Sequence, residues 1–473
     1  MAIPFTMKRK NGSGYDVLYP ATKQELVAGC QKKIWIASKT LTSAGWVATE
    51  DGYSTQNVTI AGGTATTQVD VQGNYAAFRQ MLDDGTTNIY IVNNGGTFTA
   101  YAVGETPTAD LAVQVTCSDV TPPPTPVYGI DFTNMATTSK CTRTDDAANF
   151  ADPNPAVAGG TGSSPFDNIM PWSGMVRSTD PNAGEVVAIP KFYFKWETDG
   201  TKATGLKISM EKKPGFNTSP AHMDRGDGKG ERDVIYVGRY HSCSTNKSTT
   251  GQMPKVSITR SDARTAAHSL GSNVWQFDFA TRVTIWMLYL VEFADRNSQA
   301  KIGYGCGDDS NAENVGDDSN AENVGASDGM QYHTGTMQAD RTTYGVGVQY
   351  RNIEGLWDNV YGWMDGCYYS SNGMSVVLNP NNFSDTENGT AIGTPSNGHP
   401  SAFVVSDWAI YPNAKGGSST TGSCDPWYYN SSFPCLFCGG DYYRIENHGL
   451  FFVRCDGVSG AASNVGFRVI VLP

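Results

Sequence analysis

The sequence predicts a β-rich α+β protein of two domains, a small β-sandwich followed by a large, loop-rich domain. Three observations lead there. Charged residues are scarce, at 17%, while glycine (52 residues) and aromatic residues (11%) are plentiful over 473 residues. That balance suits many short strands joined by turns, and the length exceeds one ordinary core. Residues 30–118 then hold short β-prone runs separated by turn residues: KIWIAS, NVTIAG, TQVDV, NIYIV, TFTAYAV and LAVQVTC. This is the spacing of a small β-sandwich. Finally, the proline stretch TPPPTPVYG at 121–129 favours a stiff, extended linker.

The elements follow in chain order. Residues 1–29 are polar and read as an attachment arm. YAAFRQMLDDG (75–85) reads as a short helix stopped by Gly85. The linker is placed at 119–127, and 128–473 is expected to be one large domain. There, VVAIPKFYFKWE (186–197) reads as a strand pair, or one long strand with Pro190 at a bulge or edge. DVIYVGRY (233–240) reads as a strand. SDARTAAHSLG (261–271) carries an N-cap signal, alanines and a closing glycine, and reads as a helix. A second helix follows from Val283, Trp286, Met287, Leu290, Phe293 and Ala294, spaced i, i+3, i+4, i+7. Its aromatic stripe reads as core. GDDSNAENV occurs at 307–315 and again at 316–324. Two copies do not make a solenoid, so the pair reads as a duplication in an exposed loop. Its acidic, Asn-rich character permits a calcium loop, although the glycine and bidentate-Glu spacing of an EF-hand is missing.

Charge and motifs exclude several classes. A net charge of −12 with no basic stripe argues against nucleic acid or an anionic membrane as partner. The start of the chain lacks the apolar core of a signal peptide. The longest apolar stretch, 283–294, is too short to span a bilayer and contains Glu292. A soluble protein, made in the bacterial cytoplasm without a signal peptide, is expected. The ten cysteines are scattered; Cys435 and Cys438 form a C-x2-C with no matched second pair, so they read as reduced thiols rather than a zinc site. No nucleophile elbow, H-E-x-x-H motif or P-loop is present. No catalytic residue is assigned and no enzyme is expected.

Motifs of the last third carry a resemblance. GLWDNVYGWMDG (355–366) resembles the G-N-V-x-E-W stretch of the formylglycine-generating-enzyme type of C-type lectin fold, through Asn359, Val360 and Trp363. Gly362 stands where that family has Glu. CGGDYY (438–443) resembles its R-G-G-x-W turn through Gly439 and Gly440, and NVGFRVIVL (464–472) its terminal strand through Gly466, Phe467 and Arg468. The enzymes of the fold use copper and a cysteine pair that has no secure match here. The chain is more similar to another branch, the variable proteins of diversity-generating retroelements, which includes the phage major tropism determinant. The stretches DNIMPWSGMVR, AIPKFYFKWE, IYVGRY and WMLYLVEFADRNSQAKIGYG resemble tail proteins of gut phages and prophages, and residues 30–118 resemble an Ig-like sandwich of such tails. The resemblance implies a C-type-lectin-like domain at 128–473 with a C-terminal variable region at about 424–458. It implies a receptor-binding protein in the virion tail, with a host cell-surface protein or glycan as partner alongside other tail proteins. A homotrimer and no cofactor are expected. The alternatives are a formylglycine-generating-type oxidase and a purely structural tail component.

Codon logic bears on the same region. Adenine mutagenesis of an AAC codon yields NNC codons, which cannot encode Lys, Gln, Met, Trp or Glu. From Gly416 to the end there is no Lys, Gln or Met, and Trp427 and Glu446 are the sole Trp and Glu. Rings, amides and hydroxyls give rigid amphipathic area with adaptable hydrogen bonding. Tyr428, Tyr429, Asn430, Ser431, Phe433, Asp441, Tyr443, Ile445, Asn447, His448, Phe452 and Arg454 are therefore expected to form an exposed ligand-binding face. Asn359, Trp363, Gly439, Gly440, Gly466, Phe467 and Arg468 are its expected scaffold.

Overall fold

Alternation of apolar and polar residues builds the first part of the molecule. In Thr97–Gly104, Phe98, Ala100 and Ala102 point inward, and Ile89 and Ile91 do so in Thr86–Asn94. These strands join Tyr53–Val58 and Val47–Ala48 in a four-stranded antiparallel sheet. Gln31–Leu41 and Gln68–Gly73 flank Leu111–Thr121 in a three-stranded one. Leu41, Val115 and Cys117 share a core with Ile89, Ile91 and Phe98 of the other sheet, the packing of two sheets face to face. This computed structural model describes residues 7–11, 14–18, 31–73, 79, 81–83, 85–121, 125–305, 321–386, 388–442, 448–455 and 461–473. Of the helix expected at 75–85, residues 79 and 81–83 are described and are helical. In the expected arm, Met7–Asn11 pairs with Gly14–Leu18 as a hairpin.

The chain divides into two units, Met1–Pro124 and Thr125–Pro473. Strand outweighs helix, 37% against 12%, so the protein is β-rich α+β. The second unit is organised around the helix Phe279–Phe293. Asp278 caps it by accepting from the Thr281 N–H, and Ala294 closes it in the left-handed conformation (φ 49°). The expected apolar stripe understates this helix, because every residue in it is buried. A helix that is apolar on nearly all sides belongs at the centre of a core. Its two charged residues make hydrogen bonds there, although Arg282 Nε is left without a partner. Arg282 donates to the carbonyls of Leu356 and Leu450. Glu292 accepts from Arg351 (2.5 and 3.0 Å), Tyr350 and Ser164.

Other elements refine the sequence reading. The first helix runs Arg260–His268 and stops short of Gly271, with the Thr259 side chain accepting from the Asp262 N–H. Residues 186–197 hold two strands, Gly184–Pro190 and Tyr193–Asp199, which lie in different sheets and do not pair with each other. Proline lacks the N–H that continues a ladder, so the chain changes sheets just after Pro190. DVIYVGRY supplies Val234–Gly238. The terminal stretch also serves two sheets. Val465–Gly466 runs parallel to Tyr361–Trp363, and Val469–Val471 lies between Val234–Gly238 and Val274–Gln276. A short helix, Ser298–Ile302, capped by Asn297, was not evident from the sequence. Among the described residues no helix is long and apolar enough to cross a membrane.

Candidate functional site

The C-terminal region is carried by a five-stranded sheet in the order Trp427–Tyr428, Val453–Arg454, Phe437–Cys438, Tyr361–Trp363, Val465–Gly466. Its scaffold residues are buried. Trp363 is 1% exposed and its indole N–H donates to the Ile258 carbonyl at 2.8 Å. Phe467 is 0% exposed. Arg468 donates to the carbonyls of Gly238 (2.6 Å) and Glu354 (2.6 Å), and burial lowers its pKa to about 9. Asn359, itself left-handed (φ 71°), accepts from the Glu322 N–H and donates to the Glu322 carbonyl, fixing the chain at the end of the duplicated stretch. Gly439 has φ 80°, and an added Cβ would lie 2.5 Å from the Leu356 carbonyl oxygen. At Gly440 it would lie 2.5 Å from the His448 carbonyl oxygen. Both glycines let the backbone approach closely. Gly466 is buried in the same sheet.

The structure corrects the expectation of one exposed face. Phe452 is 0% exposed, stacked on His448 at 3.7 Å between centroids and on Tyr361 at 5.7 Å. His448 is buried too and shares a 2.7 Å hydrogen bond with the Tyr361 hydroxyl. Tyr429 is buried against Trp427 and Tyr369, and Asn397 accepts from its N–H at 2.6 Å. Asp441 is 1% exposed and accepts from Asn464 at 2.6 Å. These residues are core because each ring or carboxylate finds a partner inside, which an NNC-compatible identity does not reveal. Tyr443, Ile445 and Asn447 lie outside the described residues, as do the calcium-loop candidates at 307–320.

A smaller rim remains at the surface. Asn430 and Ser431 are exposed, and Tyr428, Phe433 and Arg454 are half-buried. The turn at 430–433 is closed by the Phe433 N–H donating to the Asn430 carbonyl (2.9 Å) and the Ser432 N–H to Asn430 Oδ1 (3.0 Å). Tyr428 and Arg454 are register partners on adjacent parallel strands. The hairpin of Cys367–Ser370 and Gly373–Val376 adjoins this turn: the Tyr369 N–H donates to the Pro434 carbonyl at 3.1 Å. It adds half-buried Tyr368 and Tyr369 and exposed Ser371 and Asn372. Sequence reasoning missed this hairpin, although CYYSSNG has the same ring-and-amide character.

Beneath the rim, Asp425 holds the chain. Its buried carboxylate accepts the N–H groups of Gly449 and Phe451, both at 2.8 Å, while burial raises its pKa to about 6. Trp427, the sole Trp of the region, is 0% exposed and donates to the Phe451 carbonyl at 2.7 Å.

Burial holds three cysteines of this region as thiols. Burial pushes the Cys435 thiol up to about 11 and raises those of Cys367 and Cys438, whereas a nucleophilic or metal-binding cysteine needs its thiolate. Among the described residues no group of His, Cys, Asp and Glu is arranged to hold a metal ion. His333 contacts Asp167 and Thr334, both at 2.8 Å, in the connectivity of a catalytic triad. Thr334, however, is 1% exposed and accepts from the Arg351 N–H, so its hydroxyl is closed to a substrate. No protein-family model matches this chain, and no curated protein matches it.

Proposed function

We propose that the chain is a receptor-binding protein of a phage or prophage tail, with a C-type-lectin-like second unit diversified by a retroelement. One observation carries this reading. The surface rim of Tyr428, Asn430, Ser431, Phe433 and Arg454 is composed of residues that NNC codons encode, in a C-terminal stretch without Lys, Gln or Met. The scaffold below it is held by Trp363, Phe467, Arg468 and the Gly439–Gly440 turn, and of the rim side chains Tyr428 packs against that core, its ring 6.3 Å from Phe452. A backbone fixed independently of its contact residues is what a diversifiable surface requires. Binding is non-covalent, to a host surface protein or glycan. A closed cyclic trimer at the tail tip multiplies weak contacts through effective concentration. The direct test is to sequence the surrounding locus. A reverse-transcriptase gene and a template repeat whose adenines align with the codons for 428, 430, 431, 433 and 454 are expected. A locus without such a repeat overturns the retroelement reading.

A further inference from the structure

We propose that the outward face of the four-stranded sheet in the first unit is a second binding site, and that its ligand is a neutral saccharide. Three tyrosines lie in a row on that face. Tyr90 and Tyr101 are register partners whose rings stack with centroids 5.2 Å and planes 4° apart. Tyr53 meets Tyr101 edge-on at 6.4 Å and is 37% exposed. The register sets Thr55 opposite Tyr101 and Asn57 opposite Thr99, so hydroxyls and amides surround the rings.

The strands that carry the rings are uncharged. Tyr53–Val58, Thr86–Asn94 and Thr97–Gly104 contain no Asp, Glu, Lys or Arg. Thr86–Asn94 is an edge strand, and edges ordinarily carry charge that guards them against pairing with another chain. The edge strands of the other sheet of this unit do so, with Lys39 and Asp70. Cross-strand stacking stabilises a sheet and accounts for Tyr90 with Tyr101. It does not account for a third exposed ring or for the missing charges. Ring faces accept the C–H side of a sugar, while Thr and Asn supply both donors and acceptors for its hydroxyls. With no ion on the face, no charged group has to be desolvated. The alternation of rings with Thr and Asn fits a hydroxylated ligand better than the continuous apolar centre of a protein interface.

This site belongs to the first unit alone and does not depend on the retroelement reading. The test titrates the full chain with soluble neutral polysaccharides (dextran, mannan, galactomannan) and with acidic alginate, by calorimetry and saturation-transfer NMR. At least one neutral polysaccharide binds and alginate does not. Tyr90→Ala and Thr99→Lys each weaken that binding about tenfold or more, Thr99→Lys at unchanged Tm, while Asn430→Ala leaves it intact. The proposal is overturned if no neutral polysaccharide binds, or if binding survives both substitutions. It is equally overturned if Thr99→Lys changes the sedimentation of the protein instead, because the face then joins two copies.

Discussion

Asp358 shows how strongly single residues are committed in the second unit. One of its oxygens accepts the N–H groups of Gly347 (2.7 Å) and Val348 (3.0 Å), while Oδ1 is buried without a partner. Burial raises its pKa from 3.8 to about 8, with Glu354 adding to the shift. A raised folded pKa means that the folded state holds the proton more tightly. The associated stability is present at low pH and is lost as pH rises through about 8. Asp358→Asn is therefore expected to flatten the decline in Tm between about pH 4 and 8, measured against the parent protein. Buried His222 has the opposite sign. Burial lowers its pKa from 6.5 to about 4, so its contribution is lost as pH falls below 6.5 toward 4. At Gly439, alanine meets both a left-handed φ and the Leu356 carbonyl. Gly439→Ala should destabilise by at least about 1 kcal/mol, read from urea denaturation. An alanine variant as stable as the parent would remove the close-approach argument.

Among the elements, the sequence was most legible where one period dominated. The helix Phe279–Phe293 is announced by its apolar spacing, and the strands of the first unit by alternation. Burial of the C-terminal region was not legible, because rings there pair with polar groups in loops rather than repeating at fixed spacing. Phe452 looks the same in sequence whether it faces a receptor or stacks on His448. The scaffold positions Trp363 and Phe467 were placed inside by motif, and both are buried. A prediction separates the two classes of C-terminal residue. Phe452→Ala should cost roughly 3–5 kcal/mol as a core truncation, whereas Asn430→Ala should stay within about 0.5 kcal/mol. Equal costs in denaturant unfolding would mean that the core and the rim are not distinguished as described.

For the whole molecule, the proline stretch marked the place where the chain divides, since Pro124 and Thr125 end and begin the two units. Limited proteolysis with a broad-specificity enzyme should release a stable fragment beginning near residue 125. Protection of that stretch would argue against independent units. Light scattering at micromolar concentration should return a trimer, and a monomer would remove the proposed symmetric assembly. The central claim is that a fixed, buried scaffold presents a small surface rim for recognition. Its most direct test is a paired measurement, Tm and host-cell binding, on Asn430→Ala, Ser431→Ala, Phe433→Ala and Arg454→Ala. The account predicts Tm values close to that of the parent and a loss of binding, because aromatic and arginine anchors typically carry about 2 kcal/mol or more each. Variants that bind cells as well as the parent does, or that unfold as readily as Trp363→Ala, would contradict it.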